Sequence, residues 1–245
     1  MKLKALVVAL ATIGVVAVAY AKPPGPGATP ADSGDADSFG RPLKFIGLLT
    51  SGVQTFSNDC TPDPSAPPGP DDHCVVVDPA VSTPYTFNDV GRIIIPANAA
   101  NSIICQWQTP SSIASFSNPT ASTMFNAQFR VTTRYTLQNS VLNDPALIDP
   151  NTGLPFGGKI TVSITTTALS RTLQPGEFGN DRDTSSRVCI GGLVSKRALV
   201  EGYGLTAAQA TNFFKNDTAV TMDLTGNMRG VQFGQAFVST RFVGD

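Results

Sequence analysis

Histidine occurs once in these 245 residues, at His73, and glutamate only twice, at Glu177 and Glu201. Charged residues make up 14% of the chain and aromatics 8%, with one Trp. Each shortage excludes something. One imidazole is too few for a zinc centre built on several His ligands. A Ser-His-Asp or Cys-His machine would have to use His73, which sits in a Pro-rich stretch beside Cys74. Neither G-x-S-x-G nor C-x-x-C is present. The 17 Lys and Arg residues face 18 acids and form no basic patch, so nucleic acid is not an expected partner.

Because all acids but two are Asp, a residue of turns and caps, while Glu favours helices, the balance points to many loops and few helices. The polar surface is made instead of Ser, Thr, Asn and Gln, which suits strands.

Long apolar runs are also missing, with one exception. Lys2 and Lys4 precede the run Ala5–Ala19, and Ala19-Tyr20-Ala21 then offers the small residues that a signal peptidase reads. Residues 1–21 are therefore expected to be a cleaved signal peptide. The run falls short of the roughly 20 apolar residues a spanning helix needs, so no transmembrane span is expected after cleavage. The expected destination is extracytoplasmic: periplasm, cell surface or extracellular space. Residues 22–40, rich in Pro, Gly and Asp, read as a flexible tether, and 41–245 as one domain.

Four cysteines in an oxidising compartment predict two disulfides in one of three connectivities, of which Cys60–Cys74 with Cys105–Cys189 is favoured. The first would close the Pro- and Asp-rich segment between its ends, worth about 3 kcal/mol in the chain-entropy model. The second would staple distant strands.

The dominant hydrophobic period is two. Phe125, Ala127, Phe129, Val131, Thr133, Tyr135 and Leu137 alternate with a polar set, which only a strand separates. Lys159–Ser170 alternates likewise, with Ile160, Val162, Ile164 and Ala168 on one face. In Ile103–Trp107 the same phase puts Ile103, Cys105 and Trp107 together, which predicts a buried Trp107. Gly226-Asn227 between two strand-like runs predicts a two-residue hairpin that pairs Met222 with Val231. Thr206-Ala-Ala-Gln209 has the form of a capping box and predicts a short helix to Lys215, docked through Phe213 or Phe214. The expected fold is all-β: an antiparallel sandwich of two sheets with one short helix.

The acids offer calcium a choice of oxygen-rich loops, with Asp181 and Asp183, Asp71 with Asp72, and Asp149 with Asn151 as candidate ligands. Calcium is the one cofactor the sequence suggests. Glu177, Asp181 and Asp183 are also the nearest approach to a carboxylate pair for glycoside hydrolysis. Asn216-Asp217-Thr218 fits an N-glycosylation acceptor. The inventory argues against catalysis and for an exported protein of the envelope or extracellular space, structural, adhesive or filament-forming, contacting a surface partner or itself through strand edges. A secreted carbohydrate-binding domain, with or without calcium, is the alternative, and an exposed Trp107 would favour it. A carboxylate-based hydrolase is the second.

Overall fold

The structure is a computed structural model, and it describes residues 44–61, 74–186 and 192–244. The expected signal peptide and tether, His73, Asp71, Asp72 and Cys189 lie outside the described residues.

Among the described residues, ten strands form two sheets. In chain order they are β1 (Phe45–Ser57), β2 (Cys74–Val76), β3 (Thr83–Ile95), β4 (Ser102–Ser117), β5 (Met124–Gln138), β6 (Lys159–Leu173), β7 (Phe178–Asp183), β8 (Gly192–Ser195), β9 (Thr218–Arg229) and β10 (Val231–Gly244). The six-stranded sheet runs β2-β1-β10-β4-β7, with β8 also on β4; the four-stranded sheet runs β3-β9-β5-β6. All pairs are antiparallel except β1 with β2.

The two sheets meet through rings. Phe56 of β1 packs edge-on against Tyr85, Phe87 and Phe129 of the four-stranded sheet, at centroid distances of 4.7, 5.4 and 5.0 Å. Tyr135 of β5 meets Phe242 of β10 at 5.2 Å. Aromatic burial of this kind dominates core energetics, and the tilted ring geometry adds to it. One end of the sandwich is closed by α1 (Lys196–Glu201) and α2 (Ala207–Lys215). The expected capping box opens α2, with both of its bonds formed, and Phe213 and Phe214 are both buried. Asn139 donates to Phe213 O and Thr218 Oγ1, tying α2 to the end of β5 and the start of β9. The sequence reading anticipated one helix; α1, capped by Ser195, is the second.

Single-residue bulges set which side chains face inward, because one extra residue moves every later side chain to the other face. On β4 the partner of Arg241 is Trp107 and that of Phe242 is Cys105, so Gln106 is the extra residue. Ile103 and Cys105 are buried before it, and Gln108, Ser112, Ala114 and Phe116 after it. Trp107 is thereby turned out to 43% exposure, which corrects the expectation that it is core. On β6, Ile164 is extra between Thr165 and Ser163, so Thr167 is buried and Ala168 exposed, the reverse of the sequence phase. On β5 the extra residue lies between Met124 and Ala127 and leaves Phe125 72% exposed.

The expected hairpin at Gly226-Asn227 does not exist. Residues 218–229 are one strand, and Met222 pairs with Gly91 and Tyr135 rather than Val231. The chain turns at Gly230, with φ of 71°, and passes directly from the four-stranded to the six-stranded sheet. Gly226 sits mid-sheet for a different reason. A Cβ there would lie 1.8 Å from the Arg130 carbonyl oxygen and 2.6 Å from the Tyr85 hydroxyl. The missing side chain lets Tyr85 reach across β9 and donate to that carbonyl at 2.8 Å.

Candidate contact face and cleft

Cys60 and Cys74 are bonded, with Cα atoms 5.7 Å apart, and the bridge delivers Cys74 to the start of β2 opposite Thr55. Cys105, wholly buried, is also in a disulfide; its expected partner Cys189 lies outside the described residues.

Of the acids proposed for calcium, Asp149, Asp181 and Asp183 are among the described residues, and each already has a protein partner. Asp149 accepts from the Asn151 backbone N–H and side-chain amide and from the Thr152 hydroxyl, a self-capped turn. Asp181 lies 3.8 Å from the Arg171 guanidinium. Asp183 accepts from the Ser185 N–H. Glu177 accepts from the Gln174 N–H and closes the turn between β6 and β7. Among the described residues no three His, Cys, Asp or Glu side chains converge as a metal site would require. The structure does not bring the carboxylates on β7 together with those of the 149–151 turn in any such group. Asn216, of the glycosylation motif, follows α2 at the surface, while Thr218 is buried.

The interior carries one polar seam. Tyr135 Oη receives the Gln108 side-chain N–H at 3.1 Å and pairs with the Thr240 hydroxyl, which joins the two sheets. Burial pushes the Tyr135 phenol up to about 12, and its two hydrogen bonds partly oppose the shift. Burial pushes Tyr85 up still further. Neither group is placed to act as a base near neutral pH.

What distinguishes the surface is the outer face of the six-stranded sheet. The register sets Leu48, Arg241 and Trp107 side by side, then Thr50, Ser239 and Thr109, then Val53, Phe237 and Ser111. Among the described residues, 14 large apolar side chains are exposed, and eight stand on strands of this sheet: Ile46, Leu48, Val53, Val76, Trp107, Ile113, Phe178 and Phe233. The four-stranded sheet contributes Ile94 and Phe125. Its outer face instead aligns Thr86, Thr225, Thr132 and Thr166 in one row and Asp223, Arg134 and Ser163 in another. The Trp107 indole N–H donates to Thr109 Oγ1 at 3.1 Å, and Thr109 pairs with Ser186, so the ring has a fixed polar anchor.

At the far end of the same face lies an open cleft of about 500 Å³. It is crossed by the row Ser57, Phe233, Ser115 and Asn180, one residue from each of four adjacent strands. Phe178, 71% exposed, stands beside it. Two further clefts, of about 520 and 650 Å³, flank the turn regions near Asn139 and Asp149.

No family model matches the chain, and no curated protein matches it. Among solved structures it is similar, at 10% identity and a TM-score of 0.14, to a chain of "Structure of infectious bursal disease virus Gt strain". The match takes in 74% of this chain and 45% of that one, and likeness at that level carries no argument about fold or function.

Proposed function

We propose that this chain is an exported contact protein of the cell envelope or extracellular space, and that it works by adhesion through the outer face of its six-stranded sheet rather than by turnover. The observation that carries this reading is the gathering of exposed apolar side chains on that one face; Trp107, one of them, also favours the carbohydrate-binding alternative by being exposed. Exposed apolar residues scattered over a whole surface need no explanation, whereas their concentration on one face supports a binding surface. The disulfide Cys60–Cys74 is compatible with an oxidising compartment, and among the described residues no helix is long and apolar enough to cross a membrane. The Asp turns and the buried phenols supply nothing that a catalytic mechanism would use.

A second reading, a filament subunit, is favoured by β6. This 15-residue strand pairs only with β5 among the described strands, carries no Pro, and has basic residues only at Lys159 and Arg171. An edge of that kind accepts another strand.

The test uses the mature chain, expected by intact mass to begin at Lys22. Co-sedimentation with envelope material from the producing cells should survive His73→Ala, Glu177→Gln, Asp181→Asn and Asp183→Asn. It should fall at least fivefold in Leu48→Ser plus Trp107→Ala. Loss of a measured turnover in a carboxylate variant that remains folded would turn the reading towards a carboxylate-based hydrolase. Concentration-dependent assembly of the chain alone, seen by sedimentation equilibrium, would favour the filament subunit.

A further inference from the structure

We propose that the cleft at the Phe178 end of the six-stranded sheet binds a neutral oligosaccharide. This inference rests on the contact reading and names the chemistry of the partner.

The row across the cleft comes from the register itself. Ser57 pairs with Phe233, Phe233 with Ser115, and Ser115 with Asn180, so the four side chains share one face in a straight line. Adjacent strands about 4.8 Å apart give the row a span of about 14 Å, room for about three sugar rings of about 5 Å each. Phe178 and Phe233 present 71% and 38% of their surface. Phenyl faces of this kind suit the C–H faces of a pyranose ring.

Around the rings the lining is amide and hydroxyl: Asn58, Asn180, Gln232, Ser57 and Ser115. An amide both donates and accepts, and so matches a sugar hydroxyl, which does the same. Among the described residues no side chain bonds the Asn180 or Gln232 amide, so both remain available to a ligand.

The same lining argues against other ligand classes. Among the described residues it contains no charged side chain, which removes the usual grip on a phosphate or a carboxylate. Arg171 lies on the other side of β7, where its guanidinium occupies the space that a Gly179 side chain would take. Arg182, the next outward residue of β7, stands opposite Ile113 and is not part of the lining. A purely apolar ligand would strand the amides without partners, at a cost. An extended peptide would want main-chain partners along an edge, but the row runs across the strands, and β1, β10 and β4 are paired on both sides, which leaves only the β7 edge.

The experiment is affinity electrophoresis of the mature chain in gels containing dextran, galactomannan, xylan, laminarin or hydroxyethyl cellulose, with heparin as the anionic arm. Titration calorimetry with oligomers of any retarding glycan follows. At least one neutral glycan should retard the protein. Phe178→Ala and Asn180→Ala should each weaken its association at least tenfold, while Thr132→Ala on the opposite sheet leaves it unchanged. Phe178 is mostly exposed, so its variant keeps the fold, and thermal melting checks this. Retardation by heparin alone, by none of the glycans, or equally in all variants would overturn the proposal. If envelope co-sedimentation still depended on Leu48 and Trp107 in that case, the contact reading would stand without the sugar. If co-sedimentation were also indifferent to them, both would fall.

Discussion

The outer faces of the two sheets obey the same alternation and are built from different residues. On the four-stranded sheet the outward rows are Thr, Arg, Asn and Gln, as in Thr225–Thr132–Thr166, where the Thr132 and Thr166 hydroxyls pair at 2.9 Å. On the six-stranded sheet, outward positions hold Leu48, Val53, Trp107 and Phe178. Folding needs only the inward set of each sheet, so an apolar outward set is not explained by stability. The difference separates two demands on one chain. The inner face of the four-stranded sheet is constrained by packing, and the outer face of the six-stranded sheet by what it touches.

The largest expected effect lies on the inner side. Gly226→Val should cost about 3 kcal/mol or more, because the backbone of β5 and the Tyr85 ring occupy the space a side chain needs. Asn227→Asp, half-buried and facing outward, should cost about 0.5 kcal/mol or less. Urea midpoints of the two variants decide this, and equal midpoints would mean that the inner face tolerates far more than its packing implies.

The next effect is alkaline. Burial raises the Tyr135 phenol from 10.0 to about 12, so the folded state retains a proton that the unfolded state gives up. Stability from this group is complete below pH 10 and is lost as pH rises through about 12, by about 2–3 kcal/mol. Tyr85 acts in the same direction, from the same starting pH and further upward. Denaturation curves across pH 9 to 12 should therefore slope downward in wild type and less steeply in Tyr135→Phe. A flat profile would contradict the buried seam.

The smallest stability effects should come from the outer faces, and they should be similar. Thr132→Ala removes a cross-strand hydroxyl pair worth about 0.2–1 kcal/mol. Trp107→Ala removes a ring that is already nearly half in water, for about 1 kcal/mol or less. If Trp107→Ala instead cost several kcal/mol, the ring would belong to the core after all and the contrast between the faces would weaken.

Much of the fold was legible in the sequence because it is local. The alternation of β5 from Ala127 to Leu137, the capping box of α2 and the Cys60–Cys74 closure each depend on residues close together in the chain. The bulges were not legible. Gln106, Ile164 and the extra residue beside Phe125 can be counted only against a partner strand, and a single sequence names no partner. Trp107 was misread for that reason alone: its phase with Cys105 is real in the sequence and is broken by one inserted residue. Gly226-Asn227 carried a turn signal, but the glycine serves a close approach of Tyr85 rather than a turn. The cleft was invisible because its row draws on residues 57, 115, 180 and 233, which only the register assembles. Within GEFGNDRD the acids drew attention, while the residues that line the cleft are Phe178 and Asn180.

Hydroxyl-radical footprinting of the mature chain, free and bound to envelope material, tests the division between the two faces most directly. Oxidation of Leu48, Trp107, Phe178 and Phe233 should fall on binding, while Thr86, Arg130 and Arg134 react as before. Protection centred on the four-stranded face, or none on the six-stranded face of a bound and folded protein, would contradict the account.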